Sequence, residues 1–200
     1  MRIKLCGLTR ARDVEAVAEL GASHIGFVLA PDTPRTVDAG SVRDWARELP
    51  RTTTPVLVFR PTDTASILAA CEQSGVSTVQ LHGFGETNAL ELERRGLCVH
   101  RVRSLEPLGP PLAPLEPAPR ADRPWHVDVA AGGSGLPFDW LRLRPHAPAH
   151  VFVAGGITPA NLPALLPLEP WGIDVSSGVE SSPGIKDRGL LQELFACARA

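Results

Sequence analysis

The stretch HVFVAGGITPANLPALLPLEPWGIDVSSG, residues 150–178, decides the fold. It contains two short apolar runs, His150–Ala154 and Gly172–Val175, which lead into Gly155-Gly156 and Ser176-Ser177-Gly178. Both runs are apolar at consecutive positions, as in parallel strands buried on both faces. Between them Thr158-Pro159 marks a helix start, with threonine as N-cap and proline in the first turn, where its missing N–H is no loss. Strand, turn, helix and strand make one unit of a parallel α/β sheet.

The same unit recurs towards the N-terminus. Further apolar runs fall at Ile3–Cys6, His24–Leu29, Pro55–Phe59, Thr78–Leu81, Leu97–Val102 and His126–Val129. Helical patterns cover Ala11–Leu20, Ser41–Leu49, Thr62–Ser74, Thr87–Arg95 and Gly189–Arg199. In ARDVEAVAEL (11–20), Val14, Val17, Ala18 and Leu20 are read as sharing one side and Gly21 is a stop. Eight strand candidates in 200 residues give a new strand about every 25 residues. This predicts an α/β fold with right-handed crossovers, a closed parallel eight-stranded (β/α)8 barrel at the short end of its size range. An open doubly wound sheet is the alternative. The chain reads as a single domain over 1–200. Its proline-rich segment LEPLGPPLAPLEPAPRADRP (105–124) is expected to be an irregular crossover in place of a fifth helix.

Composition narrows the function. Twenty basic and 22 acidic residues leave a net charge of -2. A near-neutral chain has no electrostatic footprint for nucleic acid or an anionic membrane. An anionic ligand therefore needs a local site. Cys6, Cys71, Cys98 and Cys197 form no C-x-x-C pair and have no histidine cluster beside them, so buried free thiols are expected rather than a zinc site or disulfide framework. The start MRIKLCGLTRARD has charges where a signal peptide needs apolar residues, and no stretch approaches a membrane span. A cytoplasmic protein is expected. Oligomeric state is left open.

In such a barrel the chemistry lies at the C-terminal ends of the strands. Cys6 leaves the first strand beside Gly7 and is either a reactive thiol, if the site lowers its pKa, or a small buried hydrophobe. Arg35 follows a proline-stiffened turn and reads as a carboxylate ligand or as an ordinary surface arginine. His82 ends the fourth strand, as a substrate contact or a structural histidine. Asp128 sits among apolar neighbours, where a carboxyl is costly unless paired or protonated. That suits acid–base work, and capping the next loop is the plainer alternative. The turns after the last two strands suit phosphate, which backbone N–H groups can bind without lysine. The run Ala130–Gly135 matches neither the dinucleotide fingerprint nor the P-loop.

These residues carry a resemblance. KLCGLTRARD (4–13), GASHIGFVLAPDTPRTV (21–37), VQLHG (79–83), VDVAAGGSGLPFDW (127–140), VAGGITPANL (153–162) and GIDVSSGVESSPGIKD (172–187) together resemble phosphoribosylanthranilate isomerase of tryptophan biosynthesis, in order and over nearly the whole length. The only two lysines, Lys4 and Lys186, fall in the first and last of these segments.

The resemblance implies an isomerase that converts N-(5-phosphoribosyl)anthranilate to the aminoketose by an Amadori rearrangement. Cys6 matches the family's general base and Asp128 its general acid. Arg35 matches the ligand of the anthranilate carboxylate, and His82 and Asp174 match pocket residues. Gly155, Gly156, Ser176, Ser177 and Gly178 match phosphate-binding loops. The implied partner is a small phosphorylated substrate, and the implied chemistry needs no metal or redox cofactor. The chain departs from the pattern in a short loop after Asp128, in an inserted Phe84 before Gly85-Glu86, and in the proline-rich crossover. Two other readings stand beside it. One is a same-fold isomerase of a related phosphorylated amino-sugar in secondary metabolism. The other is a non-catalytic phosphate-binding module.

Overall fold

Every apolar run of the sequence forms a strand in the computed structural model, which describes residues 1–105, 114–129 and 150–199. The elements are β1 (Arg2–Cys6), α1 (Ala11–Glu19), β2 (His24–Val28), α2 (Ala39–Arg47), β3 (Thr54–Phe59), α3 (Thr64–Ser74), β4 (Thr78–Leu81) and α4 (Glu86–Arg94). They continue with β5 (Cys98–Leu105), β6 (Trp125–Val129), β7 (Val151–Ala154), α5 (Leu162–Leu165), β8 (Gly172–Val175), β9 (Glu180–Ser182), β10 (Ile185–Lys186) and α6 (Arg188–Arg199). Strands β1 to β8 pair in sequence order, all parallel, and β8 returns to β1, so the barrel is closed and the open-sheet alternative falls. The strands β9 and β10 form a separate antiparallel pair.

Local chemistry sets the helix starts. Asp38 and Asp63 accept from the backbone N–H of Ser41 and Ser66, three residues on, so α2 begins at Ala39, two residues before the sequence pattern suggested, and α3 at Thr64. Gly75 takes a left-handed φ of 73° and ends α3. At the Thr158-Pro159 start the capping bonds form but the helix waits. Thr158 Oγ1 accepts from Asn161 N, and Asn161 Oδ1 accepts from Thr158 N, while α5 itself covers only Leu162–Leu165. Of the proline-rich crossover, 114–124 are non-helical and 106–113 lie outside the described residues. Phe84 packs against the core and Gly85 caps α4.

The core has two shells of different character. Outside the barrel wall Leu5, Ile25, Leu57 and Val127 meet Val17, Ile67, Leu92 and Phe195 of the helices and are fully or almost fully buried. The lumen is not the apolar layer that the consecutive runs suggested. Lys4, Gln80, His100, His126 and Asp174 are all buried and face the barrel interior or the pocket above it. Phe152 closes the lower lumen, stacked on His126 at 4.8 Å and edge-on to His24 at 5.0 Å. Of the four free cysteines only Cys71 is buried, and the other three are half-buried, which corrects the expectation of four buried thiols.

Gly172 makes room for that plug. A Cβ there would lie 2.6 Å from two Phe152 ring carbons. Gly172→Ala should cost about 1–3 kcal/mol, the usual penalty of overpacking. A lowered denaturant midpoint at unchanged slope would show this, and an unchanged midpoint would refute it.

Candidate active site

One pocket opens at the C-terminal end of the barrel. Cys6, Gln80, His82, His126, Asp128, Asp174 and the turns Ala154–Ile157 and Ser176–Gly178 line it. It gathers every candidate residue except Arg35, and neither Phe84 nor Gly85 lines it. The loop Ala130–Gly135 after Asp128, including the short span noted in the sequence, lies outside the described residues.

The turns are locked by backbone contact. Gly155 and Gly156 have φ of 99° and 65°, a region that side chains resist. Asn161 Nδ2 donates to the Gly156 carbonyl at 2.8 Å and holds this turn. Gly178 presses against the neighbouring turn, where a Cβ would meet the Ile157 carbonyl oxygen. The two turns therefore form one continuous surface lining the pocket.

Cys6 is held from two directions. Its carbonyl accepts from Lys186 Nζ at 2.7 Å and from Ser176 Oγ at 3.1 Å. Its sulfur lies beside Lys4, because Gly26 of the adjacent strand leaves the space both need. The condition set for a reactive thiol, a site that lowers its pKa, is not met by the free pocket. Burial pushes the Cys6 thiol up. Lys4 and Lys186 oppose this, Asp174 adds to it, and the balance stays above the ordinary value.

The two carboxyls diverge. Burial pushes Asp128 up to about 6, with Asp174 adding and Lys4 opposing. Burial would also raise Asp174, but the Lys4 ammonium and His126 hold it well below the usual carboxylate range. Both Asp174 oxygens bond Lys4 Nζ, at 2.9 and 2.8 Å, and Oδ2 also accepts from His126 Nδ1 at 2.9 Å. Asp174 thus lines the pocket with its acceptors engaged. His82 is a neutral imidazole, pushed down to about 4 chiefly by burial, and shares a 2.9 Å bond with Gln80 Nε2. Gln80 Oε1 is buried without a hydrogen-bond partner among the described residues.

Arg35 is not the ordinary surface arginine of its plainer reading. Its Nε and Nη2 bind Glu180 bidentately, and its side chain packs over Gly7 beside Ser176. Glu180 in turn accepts from Lys186 Nζ at 2.9 Å. Glu180, Asn161, Gln80 and His126 received no role from the sequence reading. The signal for Glu180 and Lys186 was present, since both fall in the motif segment that ends the resemblance.

Known proteins are similar to this chain over nearly its whole length. Residues 3–196 match the family model of N-(5'-phosphoribosyl)anthranilate isomerase. The chain belongs to the N-(5'-phosphoribosyl)anthranilate isomerase family. A relative of that name from Leptothrix cholodnii is 37% identical over 202 residues, covering 99% of this chain and 90% of its own. The crystal structure of the isomerase from Thermus thermophilus superposes with a TM-score of 0.86 at 33% identity, covering 100% of this chain and 98% of that one. A further isomerase structure, in complex with reduced 1-(o-carboxyphenylamino)-1-deoxyribulose 5-phosphate, gives a TM-score of 0.83 at 25% identity, with 100% and 98% coverage. In this family chain, Asp128 carries a stability cost. Its folded pKa of about 6 exceeds the unfolded value of about 3.9, so the unfolded state ionises first as pH rises. Stability is lost between about pH 4 and 6, by about 3 kcal/mol at about 1.4 kcal/mol per unit. Asp128→Asn should therefore raise unfolding stability at pH 7.5, with the gain vanishing towards pH 4. Denaturant titrations at both pH values check this, and an equal effect at the two would contradict it.

Proposed function

We propose that the protein isomerises N-(5-phosphoribosyl)anthranilate to 1-(2-carboxyphenylamino)-1-deoxyribulose 5-phosphate, a step of tryptophan biosynthesis. The observation that carries the reading is the meeting of Cys6, Asp128 and the two clasped turns in one pocket of a chain of this family. The same pairing of acid and base weighs against a non-catalytic phosphate module, and the family match weighs against a related amino-sugar as substrate. We also read the chain as one barrel domain. Among the described residues no helix is long and apolar enough to cross a membrane, and we read the protein as cytoplasmic.

The mechanism follows from proton demand. The turns around Gly155-Gly156 and Ser176-Ser177-Gly178 offer backbone N–H groups to the substrate phosphate. Arg35, with Nη1 left over from its Glu180 pair, is placed at the edge for the anthranilate carboxylate. His82 and the unpaired Gln80 Oε1 face the sugar. Between these anchors Asp128 gives its proton to the ring oxygen, and the C1′–oxygen bond breaks to a Schiff base. Cys6 thiolate then takes the C2′ proton, leaving an enaminol. C1′ gains a proton and the C2′ hydroxyl loses one, so two protons are gained and two lost, and the aminoketose forms without change of total charge.

The reactive enzyme has Asp128 protonated and Cys6 ionised. Asp128 titrates near 6 and the thiol above its ordinary value, so this is a minority form. Its population is constant between the two pKa values and falls tenfold per unit outside them. The profile of kcat/KM should be a bell with a plateau from about pH 6 into the alkaline range. The substrate phosphate also titrates near 6, so the variant assigns the limb. In Asp128→Asn the residual kcat/KM should climb through the plateau region with rising pH, and a plateau that persists would remove Asp128 as the acid.

Turnover is read as loss of substrate fluorescence, with the substrate generated in situ. Cys6→Ala and Asp128→Asn should each lower kcat by at least about a hundredfold, the usual worth of a positioned acid or base, while the proteins stay folded. Near wild-type turnover in Cys6→Ala would sink its assignment as base. No turnover by folded wild-type protein would sink the substrate assignment.

A further inference from the structure

We infer that Lys4 is the counter-ion that sets the ionisation of Cys6, and that Asp174, steadied by the buried pair His126–His100, competes with the thiolate for that ammonium. Lys4 and Asp174 are thus positioning residues. The inference deepens the reading of Cys6 as base and rests on it for its catalytic meaning.

The geometry is built for this contact. Lys4 is fully buried, and two of its bonds go to the Asp174 oxygens at 2.9 and 2.8 Å. An ammonium has three N–H donors, so one remains. On the neighbouring strand Gly26 leaves a notch. A Cβ there would lie 2.8 Å from Cys6 Sγ and 3.0 Å from Lys4 Nζ, so sulfur and ammonium flank the same empty point. Any larger residue at 26 would separate them or displace both.

The competing carboxylate is held in place. His126 is pushed down by burial and stays neutral, and its Nδ1–H donates to Asp174 Oδ2. Its Nε2 then accepts from His100 Nδ1 at 3.1 Å, and His100 is also held neutral by burial. Two neutral rings fix the carboxylate without neutralising it. Asp174 therefore keeps its charge, and although burial disfavours the Lys4 ammonium, Asp174 and Cys6 together hold it above its ordinary value.

The other charged groups around Cys6 have different duties. Lys186 bonds the Cys6 carbonyl, the Ser176 carbonyl and Glu180, which uses all three of its donors. Arg35 is paired with Glu180. Asp128 and the neutral His82 face the same pocket. Lys4, which shares the Gly26 notch with the sulfur, still has a donor left for it. When the thiol ionises its proton leaves to solvent, because Lys4 already carries three.

Iodoacetamide alkylation of Cys6, mapped by peptide mass on the full chain from pH 6 to 9, follows its thiolate fraction. In Lys4→Met the Cys6 rate at pH 8 should fall about tenfold or more, equal to a pKa rise of one unit or more. In Asp174→Asn the rate should rise, because a like charge is gone and Lys4 is released towards sulfur. Cys71, Cys98 and Cys197 should not change in either variant. Opposite directions are the mark of a charge pair, whereas a loosened pocket would speed Cys6 in both. Lys4→Met leaves Asp174 without its cation. If that variant does not fold, Lys4→Met/Asp174→Asn is compared with Asp174→Asn and should again be about tenfold slower. Equal rates, or shifts in the same direction, overturn the proposal. Turnover retained in Cys6→Ala would overturn the base assignment alone and leave the coupling of Lys4 to Cys6 standing.

Discussion

The Lys4–Asp174 ion pair spans the seam where β8 meets β1, and the upper barrel is arranged around it. Parallel register pairs Lys4 with Asp174 directly, so their side chains leave neighbouring strands on the same face. Removing two charges from water costs several kcal/mol per ion, and an apolar pair of similar size would commonly be as stable or more so. Direct bonds to both oxygens and a further donor from His126 offset part of that cost. The remainder has a structural return. A slip of one residue at the seam would turn Lys4 out of the lumen and leave Asp174 buried alone, so this pair discriminates strongly against wrong closure of the barrel.

The second lysine performs the matching task one layer higher. Lys186 arrives from the β9–β10 pair and bonds the carbonyls of Cys6 and Ser176, at the ends of β1 and β8. Its third bond goes to Glu180, which also takes both donors of the Arg35 fork. Seam, thiol-bearing strand end, glycine turn and the edge arginine are thus joined through two ammonium groups. A chain with 20 basic residues uses arginine at the other 18 positions and lysine only here. The difference is physical. An ammonium is compact and can serve three acceptors in a narrow space, whereas a planar guanidinium fork needs a flat partner such as the Glu180 carboxylate.

Strand order and barrel closure were legible because apolar runs and glycine stops repeat at regular spacing. The start of α2 was misplaced because the helical pattern begins at Ser41, while the cap that starts the helix is Asp38. The polar lumen was missed for a different reason. Runs such as IKLC and GIDV read as apolar when both faces are scored together. Scored alternately, Lys4 and Cys6, His126 and Asp128, and Asp174 and Ser176 fall two residues apart, which places each pair on one face of its strand. That period of two was the available signal. Arg35 was recognisable by its turn, but its pairing with Glu180, 145 residues away, depends on tertiary approach that no local pattern encodes. The raised Cys6 thiol was not legible either, because burial is a property of the closed barrel and not of the motif.

Two aspartates separated by a single strand of the barrel reach opposite ionisation states, and this contrast explains why both are present. Asp128 pairs in register with Ala154, and Ala154 with Asp174, so the carboxyls flank a single small residue in the same layer. Both are penalised by burial. Asp174 has Lys4 and His126 to favour its charged form, while Asp128 faces the pocket with Asp174 as a like charge nearby. One fixed anion therefore does two things. It competes with the thiolate for the Lys4 ammonium, and it discourages ionisation of the neighbouring carboxyl. Separating the two titrations in this way yields an acid that titrates at about 6 without sealing it from substrate. Placing an amide at 174 would relax both effects at once, favouring the thiolate and acidifying Asp128. The acid and the base of the proposed reaction are for this reason not independent parts, because their protonation states are set from one buried charge.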